Sequence, residues 1–118
     1  MTPKRIQRRR TRGWRMSYGA KAVGRPGPFG NPFMVSEDCS AERCVLFFRE
    51  CLERAMRGEP FPASPRGGAL SQAVMQHFQT MARRLPELRG HDLACWCSLF
   101  SVCHADVLLE LANLMAAT

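Results

Sequence analysis

Apolar positions recur at helical spacing in three stretches of the chain. Between Ser40 and Arg57, the residues Cys44, Phe47, Phe48, Cys51, Leu52, Ala55 and Met56 fall on one face at the three-and-four spacing of an amphipathic helix. Ser40 suits the N-cap, Glu42 lies in the first turn, and Gly58 and Pro60 stop the pattern. A second face, Leu70, Ala73, Val74, His77, Phe78, Met81, Ala82 and Leu85, predicts a helix ended by Pro86. In the third stretch, "CHADVLLELANLMAA", the pattern turns Val107, Leu108, Leu111, Ala112, Leu114 and Met115 inward.

Strand signals are shorter. Residues Arg5 to Arg8 and Ala20 to Gly24 are each compatible with a brief strand. "LACWC" alternates, so Leu93, Cys95 and Cys97 share one face and Ala94 and Trp96 the other. The segments "GRPGPFGNPF" and "EPFPASPRGG" are too rich in breakers for helix or paired strand and predict shaped loops. Together these elements predict one small α/β domain with two to four strands and about three helices. Its expected extent is residues 17–118, behind a basic arm over residues 1–16.

A chain of 118 residues buries a real core without staples. No apolar run approaches the roughly 18 residues that span a bilayer, and no signal-type stretch follows the basic N-terminus. The expectation is a cytoplasmic protein, off the membrane, whose six cysteines are reduced thiols or metal ligands.

Charge changes the picture at one end. Of the 17 basic residues, nine lie within residues 1 to 25, where there is no acid; the remainder is slightly acidic. A block of one sign invites a polyanion, and the guanidinium fork suits phosphate. "RRRTRGWRM" adds Trp14 beside Arg15, so an aromatic that stacks on a base stands among phosphate contacts. The expected partner is therefore a nucleotide or nucleic acid, reached through the arm. A solvated arm with Trp14 tucked onto the domain is the plainer alternative.

The densest chemistry is "CWCSLFSVCHAD". Cys95, Cys97, Cys103 and His104 are soft ligands of the kind zinc takes, although C-x-C-x5-C-H is not a familiar knuckle spacing and neighbouring Cys103 and His104 point apart. His91, Cys39, Cys44 and Cys51 are reserve ligands. A reactive thiol is the second reading: Cys103 opens a helix, whose N-terminus favours thiolate, with His104 as acid or base and Asp106 as orienting carboxylate. Plain burial of small sulfur side chains is the third. Cys44 and Cys51 fit the core, and His77 fits a satisfied boundary histidine. In the glycine loop, Gly24 and Gly30 let backbone amides approach an anion and Arg25 supplies countercharge, while three prolines remove donors.

The pieces "PKRIQRRRTRGWRM", "VGRPGPFGNPF" and "LRGHDLACWCSLFSVCHADVLLELAN" resemble, in order and over nearly the whole chain, bacterial and phage proteins of domain-of-unknown-function family 4326. That family has no established activity, so the resemblance sharpens the site and not the reaction. It implies that Gly24–Phe33 and Cys95–Asp106 belong together, with Arg25 and Asn31 facing the Cys–His–Asp cluster across one pocket. Where relatives commonly carry a proline-containing loop, this chain has "SLFSV".

Two readings follow. In the first, the pocket binds a nucleotide, nucleoside or nucleic-acid end and acts on it as a transferase or hydrolase. Arg25 holds phosphate, Asn31 orients the ligand, His104 and Asp106 handle the proton, and Cys97 and Cys103 are metal ligands or nucleophiles. In the second, the chain is a non-enzymatic nucleic-acid-binding or host-interaction module stabilised by zinc.

Overall fold

The computed structural model describes residues 2–114. Three short strands, β1 (Arg5–Gln7), β2 (Lys21–Ala22) and β3 (Leu93–Cys95), form a parallel sheet in the order β1-β3-β2. Arg5 lies opposite Leu93 and Gln7 opposite Cys95, while Lys21 and Ala22 lie opposite Leu93 and Ala94. The ladder continues past both edge strands, because Arg8 N–H donates to the Cys95 carbonyl at 2.7 Å and Val23 N–H to that of Ala94 at 2.9 Å. The central strand is wholly buried, which is why its sequence is a continuous small apolar run.

Of the three helices, α1 (Ala41–Arg57), α2 (Gln72–Arg84) and α3 (His104–Leu114), the last packs on the sheet, while α1 packs on α3 and on α2. The Ser40 side chain caps α1 by accepting from Arg43 N–H, and Ser71 caps α2 by accepting from Val74 N–H. Gly58 ends α1 in the left-handed region at φ 69°, where its N–H reaches back to the last turn. A 3-10 turn, Leu85–Leu88, with Pro86 near its start, carries the chain from α2 toward β3. The core joins these layers through Phe48, Leu52, Phe78, Met81, Leu93 and Leu108, all fully buried. Each such side chain contributes roughly 1.5–3 kcal/mol by leaving water. Among the described residues no helix is long and apolar enough to cross a membrane.

Several expectations shift. Within the basic arm, the brief strand expected at Arg5 to Arg8 forms as Arg5–Gln7 and becomes an edge of the sheet, pairing with a strand 88 positions away. β3 ends at Cys95, and the chain bends at Trp96 and Cys97 instead of continuing the alternation. Leu114, expected inward, is exposed at the end of α3, and Met115 lies outside the described residues.

One consequence governs the rest. With all strands parallel, their carboxyl ends meet on one edge, where α/β domains present ligand-binding loops. Arg8 to Arg10 leave β1 there, Gly24 and Arg25 follow β2, and Trp96 and Cys97 follow β3.

Candidate metal centre

At that edge a cavity of about 310 Å³ is lined by Gly24, Arg25 and Asn31 on one side and by Cys95, Trp96, Cys97, Cys103 and His104 on the other. The two stretches that the sequence separates by seventy positions therefore share one hollow. Phe33, Val35, Val45 and Val102 add apolar wall.

The sulfurs of Cys95, Cys97 and Cys103 all lie within 4.8 Å of one another and form a candidate metal site. Three elements bring them together. Cys95 closes the central strand, Cys97 follows the bend, and Cys103 stands immediately before α3. None is in a disulfide. Cys95 Sγ is 3.0 Å from Cys103 Sγ, and Ala105 N–H donates to Cys103 Sγ at 3.5 Å. These contacts favour ionisation at Cys103 over Cys95. The Cys95 thiol donating to it, against the opposing effect of burial and with help from the Ala105 amide, holds Cys103 down to about 3. The same hydrogen bond and burial push Cys95 well above the ordinary thiol range, and burial raises Cys97.

Arg5 supports this centre from β1. Its side chain is nearly buried and donates through Nη2 to the carbonyls of Leu99 and Ser101, at 3.0 and 2.9 Å, so it fastens the loop between Cys97 and Cys103. Its Nε stands 3.3 Å from Asp106 Oδ1, and its Nη1 is buried without a partner among the described residues. Although burial pulls its pKa down, Cys103 and Asp106 raise it overall.

That pairing corrects the expected relay. Asp106 points outward to Arg5 and does not reach His104. The His104 Nε2 meets the Val23 carbonyl at 2.7 Å, which fixes the proton on Nε2 because a carbonyl only accepts. Its Nδ1 then faces Cys103 Sγ at 3.7 Å, and its ring packs edge-on against Phe48. His104 therefore stands outside the sulfur triad as a buried support that ties β2 to α3, with no carboxylate behind it.

The glycine loop is also corrected in part. Gly27 N–H donates to the Gly24 carbonyl and Gly30 N–H to that of Gly27, so these amides serve the loop itself and cradle no phosphate. Gly30 is required for another reason: a Cβ there would come within 3.0 Å of the Arg25 backbone. Its carbonyl accepts from His77 Nε2 at 2.8 Å, which gives that histidine the satisfied boundary role expected of it. Asn31 lines the cavity, but its amide donates to the Cys44 carbonyl and its Oδ1 accepts from Phe33 N–H, so it locks the loop to α1 and does not orient a ligand. Arg25 is exposed and free to meet an anion, with one Nη on the Asn31 carbonyl at 3.2 Å.

Trp14 and Arg15 do not line the cavity. Trp96 holds the aromatic position instead, with the guanidinium carbons of Arg8 and Arg10 at 4.6 and 4.7 Å from its ring centroid. The strand reading assigned Trp96 only to a face. The reserve ligands stay apart from the triad: Cys39 and Cys44 pair with each other at 3.0 Å, Cys51 is core, and His91 Nδ1 meets the Gly19 carbonyl. Cys51, buried among apolar groups, is pushed up to about 12, as an inert core thiol should be.

Residues 6–114 match the model of a family described as a domain of unknown function, DUF4326. No curated protein and no solved structure matches the chain.

Proposed function

The chain belongs to the DUF4326 family, whose description assigns no activity, and from its own geometry we propose that it binds a nucleoside or nucleotide in the carboxyl-edge pocket beside a zinc ion on Cys95, Cys97 and Cys103. The observation that carries the reading is the single cavity lined by the arginine of one loop and the three sulfurs of the other. A tetrahedral zinc holds thiolates about 3.8 Å apart, given Zn–S bonds of about 2.3 Å. The triad, all within 4.8 Å, fits after a small opening of the Cys95–Cys103 pair. Thiolates select zinc among the common divalent ions, and three protein ligands leave one position, as sites that act on a substrate do.

Zinc at such a position polarises a bound water or carbonyl. The chain's own residues do the rest. Arg25 neutralises a phosphate at the mouth, Trp96, over whose ring Arg8 and Arg10 lie, walls the side where a base sits, and the apolar wall from Phe33 to Val102 excludes water behind it. His104 holds the first residue after β2 against α3 and so keeps both walls at a fixed distance. Hydrolysis or group transfer at the bound ligand is the chemistry this arrangement suits. Six thiols outside any disulfide suit a reducing cytoplasm.

The test is calorimetric titration of the zinc-loaded chain with the common nucleoside monophosphates. Arg25→Ala should weaken binding about ten-fold or more, as loss of a charge-assisted contact does. Unchanged binding of every nucleotide in Arg25→Ala and His104→Ala, with the fold intact, would refute the reading.

A further inference from the structure

We propose that the pocket's ligand is one nucleotide of a single-stranded nucleic acid, whose backbone runs along Arg8 and Arg10 over Trp96 and into the cavity past Arg25. The inference rests on the pocket reading for where the strand ends and on separate observations for its path.

The first observation is placement. Arg8 is bound to the end of the central strand by its own N–H on the Cys95 carbonyl, so the basic run starts at the mouth of the cavity and does not trail away from it. The second is charge. Arg8, Arg10 and Arg25 enter no ion pair among the described residues, whereas Arg49, Arg54, Arg57 and Arg84 on the helices are paired with Glu110, Glu50, Glu59 and Glu87. Cations left without acidic partners on one edge need an external anion. The third is the aromatic surface. Trp96 lines the cavity, is 43% exposed and carries Arg8 and Arg10 over its ring, so a base stacks on it by displacing a guanidinium toward the phosphate. Phe100 stands fully exposed on the loop that Arg5 fastens.

Arginines that track a backbone and aromatic faces that stack successive bases are the two components of single-strand recognition. A duplex keeps its bases stacked on one another and offers none to Trp96. An anionic lipid surface or an acidic peptide would use the charge and leave the rings without a role.

Fluorescence anisotropy of the full chain with a labelled single strand of mixed sequence tests this. Affinity should fall steeply with salt. Arg8→Gln combined with Arg10→Gln should make the slope of log K against log salt shallower by about 1.4, at about 0.7 per phosphate released. Trp96→Ala should weaken binding by about five-fold or more and Trp96→Phe should restore most of it, since the phenyl ring also stacks. Binding of nucleoside monophosphates should be indifferent to the two glutamine changes. The path is overturned if the double variant keeps the wild-type slope, if Trp96→Ala binds the strand as wild type does, or if the strand binds no tighter than a monophosphate. It is equally overturned if the duplex form or a phosphatidylglycerol vesicle competes as well as the strand. If strand binding depends on Arg8, Arg10 and Trp96 while Arg25→Ala leaves monophosphate binding unchanged, the path stands and the pocket reading fails.

Discussion

At the scale of single residues, the centre depends on how one sulfur is held. Cys103 sits where the Ala105 amide, in the first turn of α3, and the Cys95 thiol both donate to it, so its ionised form is favoured before any metal arrives. A thiol with a depressed folded-state pKa adds stability that is complete above its ordinary value near 9 and is lost as pH falls toward about 3. Cys95, raised above that value, works the other way and loses its contribution above about pH 9. In metal-free protein, urea midpoints measured between about pH 5 and 8 should therefore rise more steeply with pH in the wild type than in Cys103→Ser. Equal slopes would show that Cys103 carries its proton. The sequence revealed Cys103 as chemistry-bearing but misassigned Asp106. Residues 103 and 106 are one turn apart, yet Cys103 lies just before the helix, and Asp106 turns to a cation from the other end of the chain.

Among the elements, the one that decides the site was the hardest to read. α1 and α2 announced themselves by periodicity and serine caps, and both caps form. β1 is three residues long, so its local signal carries no more than the brief strand expected over Arg5 to Arg8. Its identity comes from pairing with β3, a long-range fact that no window contains. A brief strand at Arg5 to Arg8 was legible, but its partner was not, and with the partner went the placement of Arg5, Arg8 and Arg10 at the cavity. The structure makes a specific demand here. Arg5→Ala removes two hydrogen bonds from a nearly buried guanidinium and frees the loop that presents Cys103. The expected cost is about 2–3 kcal/mol in urea unfolding, mostly from the charged donor and little from the half-exposed Asp106. Arg5→Lys should recover only a small part, since one ammonium cannot reproduce the fork. A loss below about 0.5 kcal/mol would mean that the loop holds itself.

Over the whole molecule, a parallel sheet of three short strands works as a frame that delivers three loops to one edge. One loop brings cations, one brings the glycine turn with Arg25, and one brings Trp96 and two of the three sulfurs of the candidate centre. The convergence of the last two was implied by family resemblance and not by spacing, because no periodic signal links positions seventy residues apart. The placement of the first depends on the pairing of β1, for the reason given above. The sulfur triad is where the frame, the loop fastening and the helix start all meet, so it bears the central claim. The most direct check is the metal content of untagged protein purified from zinc-supplied cells, measured by mass spectrometry beside Cys97→Ser and Cys103→Ser. The account predicts about one zinc per chain in the wild type and its loss in both variants. A folded wild type that carries no metal, with its thiols all titrating as free, would contradict it.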